Sequence, residues 1–542
     1  MPKRSAREIR TGLKATSKAR TAQKKAQKAK RKATSTGPTT TEPTSSDTHL
    51  SPDDVYAAIA RAHIAQQDWA ARSVGRRAQV LRRFRARLLD DLDAFTALIV
   101  EDTGKTVVEA LAMELLSLLE FCVHCEEHAA DILADELRPS RVARHKRIRV
   151  RHVPRGVVGV LAPFNFPIAI AGSDVLSALI TGNAVVVKPS EHASASLLHL
   201  QRLLHESGVP ADVLQVVCGG PDTGRALTTS THRHERVDFV SFTGSTRAGR
   251  QVAAACAAQL IPHRVELGGN GAAIVLPDAH LERTAQALTW GAFANAGQVC
   301  AAVQRIYVHR AVEEPLVRLL RREVGKLRTL GPHDVDNEVA DLCHPALPSQ
   351  MKALLQDAVD QGGHLLGGKL PDDDQSRIRP TFVVEANGAR LFDEECFGPV
   401  VGIAAFDDDK ALVRELNQSD YGLAAYVFTE DADAGRLLAE SLDVGTVMLN
   451  DVLWAYGMPE APWSGRKDSG YGVSHGTEGL RALCHTQVVH EERVRLFDRE
   501  PFWFPYGPGT VARLRQGIRA LYGDGLKSKM KGLFDASVFR HD

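Results

Sequence analysis

The sequence GVVGVLA spans residues 156–162, and a second apolar run, NAVVVKP, follows at residues 183–189. Three more runs of this kind lie at residues 213–217, 237–242 and 272–276. Helices are predicted between the runs, at residues 191–206, 223–229 and 247–258. Continuous β-branched runs that alternate with helices are typical of a parallel sheet covered on both faces. The pattern therefore predicts a doubly wound α/β domain of the kind that binds nucleotides.

The second half of the chain repeats this α/β alternation. Its strands are predicted at residues 303–308, 400–405 and 424–428. A chain of 542 residues is long enough for two or more domains with separate cores. We therefore expect a cofactor-binding α/β domain over residues 51–267 and a second, catalytic α/β domain over residues 268–480. The first ordered helix should begin near Ser51, a good N-cap that is followed by acids in the first turn.

The composition is that of a globular protein, with 44% apolar and 25% charged residues. Its eight cysteines are too few for a disulfide framework in so long a chain, and most of them lie in apolar runs. This usage fits a reducing, cytoplasmic compartment. The sequence has no signal-peptide core and no apolar run of about 18 residues, so neither secretion nor a membrane span is expected.

Cys300 and Glu266 are the residues with the clearest chemistry. Cys300 ends the segment AFANAGQVC, and Glu266 begins the segment ELGGN. A cysteine thiolate attacks carbonyl carbon well, and a carboxylate can activate the water that later releases the product. The two motifs and their spacing of 34 residues resemble the aldehyde dehydrogenase superfamily. The resemblance covers roughly residues 55–490.

This resemblance implies a mechanism and a third catalytic residue. The segment PFNFP, residues 163–167, resembles the oxyanion motif of the family. Asn165 would donate its side-chain amide to the oxyanion formed from the aldehyde, together with the backbone N–H of Cys300. The thiohemiacetal would lose hydride to NAD, and Glu266 would activate the water that hydrolyses the thioester. Such a base argues against a CoA-acylating enzyme, and no metal is expected.

The segment KPSE, residues 188–191, resembles the ribose-binding motif of the family. Lys188 would donate to ribose or phosphate oxygens, Ser190 belongs to the same contact, and Glu191 would accept from the ribose hydroxyls. A carboxylate at Glu191 favours NAD over NADP, because a 2′-phosphate would meet a like charge. NADP remains a second candidate cofactor.

Two further motifs resemble cofactor contacts. Gly244, Ser245 and Gly249 belong to TGSTRAG, which would bring the pyrophosphate to a helix N-terminus. In EECFGP, Glu395 would hold the nicotinamide ribose and Phe397 would pack near the nicotinamide. The second domain would therefore help to position the cofactor that the first domain binds.

Two segments fit neither domain. RIRVR, residues 147–151, alternates charged and apolar residues like an exposed hairpin strand, and QVVH, residues 487–490, resembles a lone late strand. Matching segments in aldehyde dehydrogenases form an oligomerisation arm, and an unpaired edge strand would be a liability. We therefore expect residues 140–155 and 481–495 to form a β oligomerisation arm in a homodimer or homotetramer.

The two ends of the chain differ from its body. Residues 1–33 carry 13 Lys or Arg and one acid, which leaves 54 bases and 65 acids, a formal charge of −11, for residues 34–542. We expect residues 1–50 to be a disordered basic tail, with nucleic acid as a candidate partner through counterion release. The alternatives are a solvated extension with no dedicated partner and an organellar transit peptide, which the scarcity of apolar residues disfavours. Residues 496–542 combine an aromatic cluster with a basic amphipathic pattern, which suits peripheral membrane contact or, as we prefer, docking on the protein's own body or on a neighbouring subunit.

The substrate is the property that the sequence leaves most open. Asn270 after the Gly-Gly pair is similar to some succinate-semialdehyde dehydrogenases, which makes succinate semialdehyde the alternative substrate. Trp454, Tyr456 and Trp463 form either an apolar entrance or a core or interface cluster. Two other function classes remain open. One is a polyanion-binding protein that uses the basic tail, which the intact catalytic residues disfavour; the other is an esterase.

Overall fold

The computed structural model describes residues 50–143, 145–230, 232–370, 377–386, 388–495, 498–500 and 502–523. The expected basic tail, residues 1–50, lies outside this part of the chain except for Leu50, and so does the end of the C-terminal extension.

The strands, labelled in chain order, are β1 (Glu136–Arg138), β2 (Lys146–Pro154), β3 (Val157–Leu161), β4 (Ala184–Lys188), β5 (Leu214–Val216), β6 (Phe239–Thr243), β7 (His263–Glu266), β8 (Gly271–Val275), β9 (Val303–His309), β10 (His364–Leu366), β11 (Thr381–Val384), β12 (Val400–Phe406), β13 (Tyr421–Gly422), β14 (Ala424–Phe428), β15 (Thr446–Leu449), β16 (Arg466–Lys467), β17 (Gly470–Tyr471) and β18 (Cys484–Glu492).

The α-helices are α1 (Pro52–Ala70), α2 (Val74–Asp90), α3 (Leu92–Thr103), α4 (Val107–Glu109), α5 (Leu116–Ile132), α6 (Ala169–Thr181), α7 (Ala195–Glu206), α8 (Pro221–Thr229), α9 (Thr246–Ala258), α10 (Leu281–Phe293), α11 (Glu313–Val324), α12 (Leu347–Asp360), α13 (Asp409–Gln418), α14 (Ala432–Ser441), α15 (Gly476–Ala482) and α16 (Thr510–Tyr522). A π-helix, Ala110–Leu115, joins α4 to α5.

The first sheet has six strands in the order β17-β7-β6-β3-β4-β5. Neighbours from β7 to β5 are parallel, and β17 runs antiparallel at the edge. Every residue of β3 is buried, as expected for valine-rich strands covered on both faces. The doubly wound fold predicted from the first two apolar runs is therefore confirmed. The chain leaves β3 through β4 to β5 and returns to β6 on the other side of β3, so a crevice opens at the carboxyl ends of these strands.

The second sheet has seven strands in the order β10-β11-β12-β9-β8-β14-β15. All neighbours are parallel except β10 and β11. Strands β9, β12 and β14 confirm the three strands predicted in the second half of the chain. Strands β7, β10, β11 and β15 were not predicted, because three or four residues are too few to show a period.

The first helix begins where the sequence predicts it. Ser51 caps α1 by accepting a hydrogen bond from Asp54 N, and the Asp54 side chain accepts in return from the Ser51 backbone. Side chains of α1, α2, α3 and α5 then join the apolar core around the first sheet. The apolar face of these helices is therefore what attaches them to the sheet.

A third sheet has the order β1-β2-β18. β2 pairs antiparallel with β18 along nine residues of each strand. The expectation of a lone strand at residues 487–490 is therefore wrong, because β18 finds its partner within the same chain. β18 is an edge of this sheet and most of its side chains are exposed. Pairing of this edge with a second subunit stays a prediction.

The C-terminal extension contacts the start of β2. Glu500 lies 2.7 Å from Lys146 Nζ, and the Arg141 guanidinium lies 4.7 Å from the ring centroid of Tyr522 in α16. These contacts hold the described part of the extension against the protein's own chain. No helix among the described residues is both long and apolar enough to cross a membrane.

Candidate active site

The loop before Cys300 has an unusual backbone conformation. Asn295, Ala296 and Gly297 have φ values of 51°, 51° and 72°, so three successive residues are left-handed. Glycine is also required at Gly297 for space, because a Cβ there would overlap the carbonyl oxygen of Gly398. The reversal ends α10 and places Cys300 between that helix and β9.

The glycines after Glu266 let two chain segments approach closely. A Cβ on Gly269 would lie 2.5 Å from the carbonyl oxygen of Cys300, and a Cβ on Gly271 would overlap the carbonyl oxygen of Ala302. The ELGGN motif therefore has a packing role, since bulkier residues would separate the segment of the glutamate from the loop of the cysteine.

Asn165 lies against the loop of Cys300. Its side-chain Nδ2 donates to Gln298 O at 2.9 Å, and its backbone oxygen accepts from Asn295 Nδ2 at 3.2 Å. A carboxamide nitrogen carries two hydrogens, so a second N–H of Asn165 is left for another acceptor. The structure therefore brings the predicted oxyanion donor to the cysteine loop.

Glu266 ends β7 with a buried carboxyl group. Neither carboxylate oxygen makes a hydrogen bond of normal geometry within the described chain. Burial raises the pKa of Glu266 well above that of an exposed glutamate, while the Arg264 charge and a weak contact with the Trp463 side chain favour the ionised form. A buried carboxyl group with few fixed partners is well suited to take a proton from water.

The charge of the Glu266 carboxylate acts on the Cys300 thiol. Burial, followed by the charges of Glu266 and Glu395, raises the pKa of the Cys300 thiol to about 12. The backbone N–H groups of Ala301 and Cys300 favour the thiolate and oppose this rise in pKa. The thiol is therefore protonated at neutral pH in this state, and a base must remove its proton before it can attack.

Glu395 and Phe397 lie beside the segments that follow Glu266 and contain Asn165. Glu395 Oε1 accepts from Gly269 N at 2.9 Å, and burial raises the pKa of Glu395 to about 7. Its carboxylate fills the space that a Cβ on Gly268 would need. Phe397 packs edge-on against Phe164, with ring centroids 5.8 Å apart. The predicted contacts of Glu395 and Phe397 with nicotinamide stay predictions.

Lys188 ends β4 at the carboxyl edge of the first sheet. Its Nζ lies 3.8 Å from Glu191 Oε1, and burial lowers the pKa of Lys188. The Ser190 hydroxyl accepts a long hydrogen bond of 3.3 Å from His192 N. A cation and a carboxylate that meet at this edge can form hydrogen bonds with the hydroxyls of a ribose.

Helix α9 begins at the same edge, after β6. Ser245 caps it by accepting a backbone hydrogen bond from the first turn. A Cβ on Gly249 would overlap the Leu267 side chain, so only glycine lets α9 pack this close to the segment after β7. Gly244 N already donates to Glu266 O at 3.0 Å, which ties the helix start to the strand of the glutamate.

A buried ion pair beneath Asn165 was not predicted. Lys105 Nζ lies 3.3 Å from Glu114 Oε1, and both side chains are fully buried. Lys105 also donates to the Asn165 carbonyl oxygen. Glu114 accepts from the backbone N–H groups of Ile168 and Ala169 at 3.1 and 2.6 Å. The pair therefore positions the turn that carries Asn165.

Glu109 holds the neighbouring cysteine loop, and it too was not predicted as a site residue. Its Oε1 accepts from Asn295 N at 2.5 Å, and its Oε2 accepts from Thr106 N at 2.9 Å. The sequence TVVE that carries both residues is a capping box. That signal predicts a helix start, but it cannot show that the glutamate also reaches a loop far along the chain.

A cavity of about 500 Å³ contains Cys300 in its wall. The π-helix, the start of α5, the turn after Asn165 and the segment from Leu453 to Trp463 supply the rest of the wall. Trp454, Tyr456 and Trp463 all line this cavity. The aromatic cluster considered as a substrate entrance therefore borders the cysteine.

Comparisons with known proteins show what this chain is similar to. The sequence pattern described as the aldehyde dehydrogenase family matches residues 24–489. The chain is 34% identical to a Mycolicibacterium smegmatis protein named putative succinate-semialdehyde dehydrogenase, NADP(+), over 82% of this chain and 86% of that protein. It is 32% identical to a 4,4'-diapolycopene aldehyde oxidase of Methylomonas sp, over 84% and 85%.

Solved structures are similar throughout the body of the chain. Betaine aldehyde dehydrogenase from Staphylococcus aureus, in complex with NAD+, superposes with a TM-score of 0.78 at 26% identity. The match covers 84% of this chain and 90% of that one.

Proposed function

This chain is a member of the aldehyde dehydrogenase family, and from that premise we propose that Cys300, Glu266 and Asn165 perform its catalysis. The enzyme oxidises an aldehyde to the carboxylate with NAD or NADP as the oxidant. The observation that carries the assignment is a thiol in a cavity wall beside a buried carboxyl group, close enough for the carboxylate charge to raise the pKa of the thiol.

The reaction begins when Cys300, having lost its proton, attacks the carbonyl carbon of the aldehyde. A C–S bond forms, and the carbonyl electron pair moves to oxygen. The remaining N–H of the Asn165 amide and the backbone N–H of Cys300 stabilise this oxyanion. Loss of hydride restores the carbonyl as a thioester. Glu266 then takes a proton from water, the hydroxide attacks, and the sulfur leaves as a thiolate to give the carboxylate.

The nicotinamide cofactor, when bound, would supply the hydride acceptor. Lys188, Ser190 and Glu191 would hold the ribose, and the start of α9 at Ser245 would meet the pyrophosphate. These groups fit the cofactor because a cation, a carboxylate and a helix N-terminus meet at one edge of the first sheet. Glu191 would repel a 2′-phosphate, so we propose that NAD is preferred over NADP.

Glu395 and Phe397 would contact the nicotinamide end of the cofactor. They lie beside Gly269 and Phe164, next to the cysteine loop. Residues 51–267 would thus bind most of the cofactor, while residues 268–480 would supply the cysteine and complete the cofactor site.

The assignment is tested by measuring NADH and NADPH formation by the full-length protein. Cys300→Ala should abolish turnover, whereas Cys343→Ala, which alters another partly exposed thiol, should keep it. Glu266→Gln should release about one NADH per subunit in a burst and then turn over some 10²- to 10⁴-fold more slowly. Steady turnover at the normal rate in Glu266→Gln would overturn the assigned base. Hydrolysis of an activated ester without cofactor, together with no oxidation of any aldehyde, would instead indicate an esterase.

Succinate semialdehyde is the second candidate substrate, because the Mycolicibacterium smegmatis relative is named as a putative succinate-semialdehyde dehydrogenase.

For assembly, we propose a homodimer or homotetramer that pairs through the exposed edge of β18. Unpaired cysteines in the described chain favour a reducing, cytoplasmic compartment. Nucleic acid stays a candidate partner for residues 1–50 only. Peripheral membrane contact through residues 496–542 is less favoured than docking.

A further inference from the structure

The outer part of the cavity that contains Cys300 is strongly apolar. Four large side chains in its wall are nearly half exposed or more, namely Leu116 (46%), Trp290 (45%), Trp454 (54%) and Met458 (47%). Other wall residues, Phe166, Ile170 and Trp463, are buried. The wall therefore passes from buried apolar groups to exposed apolar groups, and the exposed ones mark the mouth. Exposed apolar groups gathered at one opening indicate a surface that another apolar group covers.

The charged groups at this wall are acidic. Glu120 and Glu460 line the cavity, and no Lys or Arg is among the described residues that do so. His124 lies 3.8 Å from Glu460, but burial lowers the pKa of His124 and so disfavours its charged form. A substrate that carries its own carboxylate would meet two like charges and no cation.

Two buried cations, Lys105 and Arg264, do not line the cavity and do not make its wall less acidic. Lys105 lies 4.5 Å from the ring centroid of Phe166, on which it stacks, and it is paired with Glu114. Arg264 is paired with Asp174, and both are nearly fully buried. Each of these charges is neutralised by a partner within the protein, so neither is free to bind a substrate carboxylate.

The size of the cavity suits a substrate larger than a short aldehyde. A volume of about 500 Å³ falls in the range of about 300–1,000 Å³ that holds drug-sized ligands. Aromatic side chains at its mouth offer flat apolar faces to a ring or a long chain.

Building on the proposed function, we infer that the preferred substrate is an uncharged aldehyde with an extended apolar tail, aromatic or long alkyl, and that carboxyl-bearing semialdehydes are disfavoured. The aldehyde carbon would reach Cys300, and the tail would lie along Phe166 and Ile170 towards Trp290 and Trp454. The acidic pair Glu120 and Glu460 would exclude anionic competitors.

Steady-state kcat/KM values with NAD+ test this inference, using propanal, decanal, cinnamaldehyde and succinate semialdehyde. From propanal towards decanal, kcat/KM should rise about fourfold per methylene until the cavity is filled, which corresponds to about 0.8 kcal/mol each. Cinnamaldehyde should also exceed succinate semialdehyde, by at least tenfold. Turnover that depends on Cys300 but is faster with succinate semialdehyde than with decanal would overturn the inference and leave the proposed function standing. Silence with every aldehyde would overturn both.

Variants of the mouth supply matched controls. Trp454→Ala should lower kcat/KM at least fivefold more for decanal than for propanal. Leu437→Ala, at an exposed leucine of α14, should leave kcat/KM unchanged for both aldehydes. Replacing Glu120 and Glu460 together by Gln should raise the succinate semialdehyde to decanal ratio severalfold, and Glu440→Gln should not. An unchanged ratio in the double variant would refute the exclusion by charge.

A binding measurement separates the inference from turnover. The uncharged 1-decanol should protect Cys300 from alkylation by iodoacetamide, and succinate at the same concentration should not. Protection by succinate but not by decanol would overturn the assigned substrate class whatever the turnover measurements show.

Discussion

Cys300 and Glu266 influence each other's protonation. Burial raises the pKa of each group, with Glu266 buried and the Cys300 side chain partly exposed. A negative Glu266 raises the pKa of the thiol further, so the two groups do not readily ionise together. The proposed mechanism needs only one anion at a time, because the sulfur is neutral in the thioester when Glu266 must act as base.

The pH dependence of Cys300 alkylation follows from this coupling. Burial and the charges of Glu266 and Glu395 raise the pKa of Cys300 to about 12, so the wild-type alkylation rate should still increase at pH 10. Glu266→Gln removes one of the causes that raise the thiol pKa, so its alkylation midpoint should move to lower pH. Iodoacetamide labelling of Cys300, read by peptide mass spectrometry, measures this midpoint, with the distant Glu440→Gln as control. An unmoved midpoint in Glu266→Gln would show that the carboxylate does not act on the thiol.

Among the elements, helix α9 lies next to both the proposed pyrophosphate site and Glu266, the proposed base. Its first turn offers the N-terminus at Ser245, and Gly244 before it bonds to Glu266 O. Gly249 lets the helix pack closely against Leu267, the residue that follows Glu266. A displacement of α9 would therefore affect both the proposed pyrophosphate site and the position of Glu266.

The substitution Gly249→Ala tests this connection. The added Cβ overlaps Leu267, so we expect a higher KM for NAD+, a lower kcat and a loss of about 1–3 kcal/mol in stability. Gly75→Ala is a matched control in helix α2, because nothing lies within 4 Å of a Cβ there. Alanine at this helical position should leave kinetics unchanged and should not lower the thermal midpoint. If Gly249→Ala and Gly75→Ala had the same KM for NAD+, the same kcat and the same thermal midpoint, the role given to Gly249 would be contradicted.

At the scale of the whole molecule, the β1-β2-β18 sheet joins segments that are distant in sequence. Arg151 in β2 donates to the Gln487 side chain in β18, 336 positions away, at 3.0 Å. β18 is an edge strand of this sheet, and its Val488 side chain is exposed (60%). An exposed edge strand is prone to pair with another chain, which supports the proposed assembly through this sheet.

Assembly is checked by analytical ultracentrifugation of the full-length protein. The wild type should sediment at two or four times its chain mass of 58.9 kDa. Val488→Asp places a charge on the exposed edge and should shift the protein to a smaller species, whereas Leu437→Asp, on exposed α14, should not. A monomeric wild type would contradict the proposed arm.

The sequence by itself determined the features that depend on neighbouring residues. Strands β3, β4, β12 and β14 were predictable because each is a largely continuous apolar run. The cap of α1 at Ser51 was predictable for the same local reason. Cys300, Glu266 and Asn165 were singled out by short motifs, although motifs alone could not show how these side chains meet.

Tertiary structure alone decided the features that join distant segments. The Lys105–Glu114 pair under Asn165, the reach of Glu109 to the cysteine loop and the pairing of β2 with β18 leave no local period in the sequence. The cavity is the clearest example, since its wall combines parts of the chain from Ala112 to Trp463. The apolar residues that line the cavity do not differ, in their local sequence pattern, from other apolar residues of the chain. Only packing can show that they face one thiol, because burial and charge at a site are properties of the folded neighbourhood.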